Sequence, residues 1–167
     1  MNLCQSRLEP RGQNEGLRIV GFDCGGCTKT TISSVFIAVS ATVILLLGLT
    51  HLLYTFRGPM LHPRDPDLTA RMTTVSPVIS RETTMWRVWV GLNATHSFGL
   101  ILFGALYGYL AVRHSRLLFH SWFLLALGFA LLLGYAAIAR CYFFAAPFRG
   151  VVLAAVFYLL GMIVNLA

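Results

Sequence analysis

The hydrophobic residues of this chain fall into four long runs separated by polar segments. These apolar runs cover residues 31–56, 88–112, 117–139 and 147–166. Each is close to or above the ~20 residues that cross ~30 Å of hydrocarbon as an α-helix. Two of the connections are short, and only residues 57–87 form a long polar interruption. Because short connections favour antiparallel neighbours, the pattern predicts an all-α integral membrane antiparallel four-helix bundle.

Two polar segments flank the first apolar run. Residues 1–30 are polar and lack the basic-then-apolar pattern of a secretory signal, so we expect a disordered tail before a membrane domain at residues 31–167. The long loop at residues 57–87 contains four prolines, which argue against one continuous helix. A short amphipathic helix near residues 68–75 remains open.

Composition supports the bilayer and limits the chemistry. The chain is 57% hydrophobic and only 11% charged, whereas a soluble domain usually carries about 25% charged residues. Its last acidic side chain is Glu82. Catalysis by paired carboxylates is therefore excluded from the second half of the chain.

The net charge of +7 indicates which partners the chain meets. Its arginines lie between apolar runs and not along one solvated face, so anionic membrane lipids are expected as partners and nucleic acid is not. More lysine and arginine residues lie on the side of the long loop, which favours a cytoplasmic loop in a bacterial inner membrane. The cationic turn at residues 113–116 favours the opposite orientation, and both stay open.

Polar side chains occur at similar depths in the first two predicted helices. His51 lies six residues before Arg57, and His96 lies nine residues after Arg87. The helical rise places the two histidines about 9 and 14 Å inside those arginines. Polar groups at this depth turn inward and find partners, so we predict that the two helices bring them together. The candidate ligand-binding residues are His51, Tyr54, Asn93, His96, Ser97, Arg140 and Arg149.

Three interpretations of these residues stay open. The side chains could hydrogen-bond across helices and only hold the bundle together. They could line a recess for an anionic or polar lipid-like molecule, because arginine and imidazole donors suit phosphate or carboxylate oxygens. His51 and His96 could also ligate a haem, which needs only two histidines, whereas a zinc site needs three or four ligands. We expect no cofactor, with haem as the alternative.

Two small motifs have structural and functional interpretations. Cys24 and Cys27 form CGGC, a spacing shared by thiol redox motifs and half of a zinc ribbon. The CGGC segment lacks a βαβ setting, so incidental cysteines, redox chemistry and weak metal binding stay open. Gly104 and Gly108 lie one helical turn apart and predict close packing with a neighbouring helix. That neighbour could belong to this chain, to a second copy or to a partner subunit.

Several segments together resemble a known bacterial family. They are HLLYT at residues 51–55, W-x-x-W at residues 86–89 and GLNATHSFG at residues 91–99. In the pattern HLxxT followed by GxNxxHSxG, they resemble a family of small, uncharacterised four-helix integral membrane proteins. The resemblance extends from about residue 31 to the end of the chain. It implies four helices and points to four residues without implying an activity. Those residues are His51, Asn93, His96 and Ser97.

The sequence therefore predicts a multi-pass membrane component without an assigned reaction. We expect a protein that binds a lipid or small amphiphile, or one that packs against partner helices. The alternative is a membrane enzyme or haem-binding redox protein using His51 and His96. No residue pattern identifies a catalysed reaction, so an enzymatic function is not favoured.

Overall fold

Six α-helices make up most of the part of the chain that the structure describes. The computed structural model describes the backbone of residues 8–9, 18–19 and 24–166, and the side chains of residues 28–166. The helices are α1 (Cys24–Phe56), α2 (Pro66–Thr74), α3 (Met85–Arg113), α4 (Ser115–His120), α5 (Trp122–Tyr142) and α6 (Ala145–Leu166). A short antiparallel ladder pairs β1 (Leu8–Glu9) with β2 (Arg18–Ile19).

Four of these helices are long and apolar enough to cross a membrane, namely α1, α3, α5 and α6. All four also expose large apolar side chains, among them Leu46, Leu102, Leu133 and Leu160. Such a surface is expected where hydrocarbon and not water surrounds the helices. The chain is therefore a multi-pass membrane protein, and the predicted all-α four-helix bundle is confirmed.

Local capping sets helix ends that differ from the apolar pattern. α1 begins at Cys24, within the predicted tail, and ends before Gly58, whose φ of 86° suits a residue without a side chain. α3 begins at Met85, ahead of the predicted residue 88. The third span begins at Trp122 and not at residue 117, because Ser121 is extended and its hydroxyl accepts the Leu124 N–H at 3.3 Å. Residues 115–120 form the separate helix α4.

The long loop contains the short helix that the sequence left open. Asp65 caps α2 by accepting the Asp67 N–H at 2.9 Å, and Pro66 occupies the first helical position. The loop then returns to α3, where the Met85 N–H donates to the Val75 carbonyl at 2.8 Å. Residues 57–84 are therefore anchored at the start of α3.

α1 packs against both α3 and α6, and α5 packs against α6. The α1–α3 contact is the closest at Gly104, where an added Cβ would lie 2.6 Å from Leu45 Cβ and 2.7 Å from the Ala41 carbonyl oxygen. Gly108 also faces Ala41, at 3.6 Å from such a Cβ. The neighbouring helix predicted from these glycines is thus α1 of the same chain. A second chain on this face stays a prediction and would have to displace α1.

Aromatic side chains fill the space between α3 and α5. Tyr107 donates a hydrogen bond to the Leu124 carbonyl at 2.8 Å, and Tyr158 donates to the Leu125 carbonyl at 3.3 Å. Both tyrosines are buried, so their hydroxyl groups need these partners. The two bonds fix α3, α5 and α6 in the half of the bundle that contains α4, and the candidate site lies in the other half.

Candidate functional site

One end of the bundle collects most of the cationic side chains. The antiparallel order brings the ends of α1 and α5 and the starts of α3 and α6 to this end, together with the long loop. Its arginines outnumber its three acids, Asp65, Asp67 and Glu82. Neither the arginines nor the acids form an ion pair within residues 28–166. We call this region the cationic end. Its exposed arginines are Arg57, Arg64, Arg71, Arg81, Arg87, Arg140 and Arg149.

His51 and Asn93 connect α1 to α3 at the cationic end. The His51 Nε2 lies 3.1 Å from the Asn93 Oδ1. Asn93 uses its Nδ2 to donate to the Trp89 carbonyl at 2.8 Å, which leaves its oxygen facing His51. Because an amide oxygen only accepts, His51 Nε2 donates to it. These two residues therefore form an interhelical hydrogen bond and hold the helices together.

His96 lies one helical turn deeper than Asn93 and contacts three aromatic rings. Its ring centroid is 5.3 Å from that of His51, 5.7 Å from Tyr135 and 5.9 Å from Phe143. The predicted proximity of His51 and His96 is confirmed by this geometry. The three rings come from α1, α5 and the residue after α5, so His96 of α3 is at the centre of the contact.

The His96 imidazole and the Tyr135 hydroxyl are both half-buried, and neither makes a hydrogen bond within residues 28–166. Gly99 lets Tyr135 come close, because a Cβ at this position would lie 2.8 Å from the Tyr135 hydroxyl oxygen. We call His51, Asn93, His96 and Tyr135 the imidazole cluster. Its deeper half has hydrogen-bonding capacity to spare.

A shallow, open depression adjoins the imidazole cluster at Asn93, and its enclosed volume of about 10 Å³ is roughly that of one water molecule. Its walls are held together by the Trp89 Nε1, which donates to the Leu61 carbonyl at 3.1 Å, and by His62, whose ring lies 4.6 Å from that of Trp86. Asn93 belongs both to this interfacial depression and to the imidazole cluster. The residues that line the depression are Thr55, Leu61, His62, Trp86, Trp89, Val90 and Asn93.

The other candidate residues from the sequence lie outside this core. Ser97 is buried, but its hydroxyl donates to the Asn93 carbonyl of its own helix at 2.9 Å. Tyr54 is exposed, and Thr55 lines the depression instead. Arg140 lies with its guanidinium 6.0 Å from the Phe148 ring centroid, and Arg149 is exposed. Neither arginine is hydrogen-bonded to the imidazole cluster, so both contribute only to the charge of the cationic end.

The two histidines do not fit a haem in this packing. A bis-histidine haem needs a wide planar slot between the two imidazoles, whereas α1 and α3 are in contact at Gly48 and Gly104. The His51 Nε2 is also engaged by Asn93. Among the residues that the structure describes, no three His, Cys, Asp or Glu side chains lie together as metal ligands do. The side chains of Cys24 and Cys27 lie outside the described residues.

Comparisons with protein families, with curated proteins and with solved structures found no match. The resemblance to the four-helix bacterial family therefore stays a prediction. Function must be inferred from the geometry of the cationic end.

Sequence reasoning missed residues that tertiary packing brings to the site. Tyr135 belongs to the third span and Phe143 directly follows it, and one aromatic residue among many gives no local signal of its contact with His96. His62 lies in the loop beside Pro63, and its contact with Trp86 depends on how the loop folds back. Trp86 and Trp89 match a general pattern, that of tryptophans at a membrane interface, and the structure gives them a second role as walls of the depression.

Proposed function

We propose that the protein binds an anionic amphiphile, with the chemistry of an acidic phospholipid, against its surface at the interfacial depression. The observation that supports this proposal is the series of side-chain contacts that leads from Asn93, which lines the depression, through His51 and His96 to Tyr135. Polar groups near hydrocarbon are costly without partners, and the deeper half of the imidazole cluster lacks them within the described side chains. A polar group of a bound amphiphile, or water held beneath it, would supply those partners.

The charge at the cationic end supports an anionic ligand over a neutral one. Arg57 lies two residues after Thr55, just past the end of α1, and Arg87 directly follows Trp86 in the first turn of α3, so both arginines are close in sequence to residues that line the depression. Neither has an ion pair within residues 28–166. Guanidinium groups form strong, often bidentate hydrogen bonds to phosphate and carboxylate oxygens.

The walls of the depression suit the apolar part of such a molecule. Trp86, Trp89, Leu61 and Val90 present mostly apolar surface, while His62 and Asn93 add polar groups. Binding sites for small molecules commonly combine an apolar lining with a few polar groups that fix orientation. The ligand would lie at the depth where headgroups meet acyl chains, because tryptophan side chains favour that depth.

Native mass spectrometry tests the proposal. We expect the purified protein to retain phosphatidylglycerol in preference to phosphatidylcholine when both are supplied equally in detergent. Val90→Phe fills the depression and should abolish this preference, whereas Leu92→Phe changes an exposed residue of the same helix and should preserve it. Equal retention of the two lipids, or an unchanged preference in Val90→Phe, would overturn the proposal. Copurification of other protein chains in place of lipid would instead support a role in packing against partner helices.

The proposal includes a bacterial inner membrane and a cytoplasmic long loop. The excess of arginines at the cationic end supports this orientation through the positive-inside rule. Cys141 is exposed at that end and reports on it directly. In a variant with Cys4, Cys24 and Cys27 replaced by serine, a membrane-impermeant maleimide should label Cys141 only in inside-out vesicles. Labelling in intact spheroplasts would reverse the orientation.

A further inference from the structure

The segment at residues 75–85 forms a closed loop with an apolar tip. Its base is fixed by the hydrogen bond from the Met85 N–H to the Val75 carbonyl, at 2.8 Å. Its tip is a tight turn in which the Ser80 N–H donates to the Pro77 carbonyl at 3.3 Å. At this turn Val78 is fully exposed and Ile79 is 93% exposed. Two adjacent β-branched apolar side chains are thus held outside the protein by a defined backbone.

The base of this loop lies at the membrane interface. Met85 begins α3 and directly precedes Trp86, and Trp89 follows one turn later. Val78 is three residues from the base at Val75. At roughly 3.3–3.6 Å per residue, the tip reaches no more than about 10 Å from the level of the tryptophans. It therefore stays within reach of the headgroup layer.

The charges around the tip favour an anionic membrane surface. Arg71 lies on α2 before the loop, Arg81 lies just after the turn, and Arg87 lies in the first turn of α3. None of them has an ion pair within residues 28–166. Glu82 is the only acid of residues 75–85, and the other two acids of the long loop, Asp65 and Asp67, lie at the start of α2. Exposed apolar side chains next to basic residues are the combination by which peripheral segments bind anionic bilayers.

We propose that the tip, Val78 and Ile79, inserts into the anionic leaflet beside the bundle and anchors the long loop there. Insertion removes both apolar side chains from water, and the neighbouring arginines meet lipid phosphates. This contact uses different residues from those that line the interfacial depression. It can therefore hold whether or not the depression binds a lipid.

Site-directed fluorescence in proteoliposomes tests the proposal. Val78→Cys, in a chain whose four native cysteines are replaced by serine, is labelled with a polarity-sensitive bimane. We expect a blue shift of emission and quenching by brominated lipid in vesicles that contain phosphatidylglycerol. The shift and quenching should weaken in vesicles of phosphatidylcholine alone. Thr73→Cys, at an exposed position on α2, is the matched control and should be quenched by aqueous iodide instead.

Three results would overturn this inference. The first is a Val78 label that iodide quenches as strongly as the Thr73 label in both kinds of vesicle. The second is equal quenching by brominated lipid with and without phosphatidylglycerol, which would remove the role of the arginines. The third is protection of the Val78 label by a copurified protein chain, which would make the tip a protein-docking element. Since both labelled positions are exposed, neither label should disturb folding.

Discussion

Replacing Gly104 with alanine should separate α1 from α3. The added Cβ would lie 2.6 Å from Leu45 Cβ, 2.7 Å from the Ala41 carbonyl oxygen and 2.8 Å from the Leu45 nitrogen. Two of these atoms belong to the backbone of α1 and cannot rotate away, so the helices must move apart. Overpacking of this kind typically costs ~1–3 kcal/mol. The better helix propensity of alanine offsets up to about 1 kcal/mol of that.

With that full offset we expect Gly104→Ala to lower the free energy of unfolding by up to about 2 kcal/mol, which changes the folded-to-unfolded ratio by up to roughly 30-fold. Reversible unfolding in mixed micelles of mild detergent and dodecyl sulfate, followed by circular dichroism, measures this difference. Gly108→Ala is the matched control, since its Cβ would make an ordinary contact of 3.6 Å with Ala41 Cβ. If the two variants unfold at the same dodecyl sulfate fraction, then close packing of α1 against α3 does not make an added side chain at position 104 destabilising.

Three further experiments test individual hydrogen bonds. A double-mutant cycle with His51→Ala and Asn93→Ala should give a coupling free energy of about 0.6–1.7 kcal/mol in the same unfolding assay, because the 3.1 Å hydrogen bond joins two helices. If the losses of the two single variants simply add, the bond does not stabilise the bundle. Tyr107→Phe should lose about 1 kcal/mol by removing the donor to the Leu124 carbonyl, and unchanged stability would argue against that bond. Asp65→Ala should cost about 1 kcal/mol of α2 stability and speed amide exchange there, whereas Asp67→Ala, which keeps the cap, should have a smaller effect. Equal exchange in both aspartate variants would show that Asp65 does not cap the helix.

The pattern along the sequence was enough to predict the number of membrane-spanning helices and the meeting of His51 with His96. Hydrocarbon allows few polar groups, so four apolar runs mark four spans. The rise of a helix is fixed, so distance from flanking arginines predicts depth. Helix caps that end or begin a helix inside an apolar run were not predicted from this pattern. Residues 117–120, which the hydropathy pattern places in the third span, belong to α4 because Ser121 caps the next helix.

Only the tertiary structure decided which side chains meet at each depth. A helical residue can face lipid or any neighbouring helix, and that rotation depends on how the whole bundle packs. Packing turned Gly104 towards α1 and left Arg140 outside the imidazole cluster. It also brought Tyr135 and Phe143 to His96 across many residues of chain. These contacts arise between distant segments, so no periodicity within one segment encodes them.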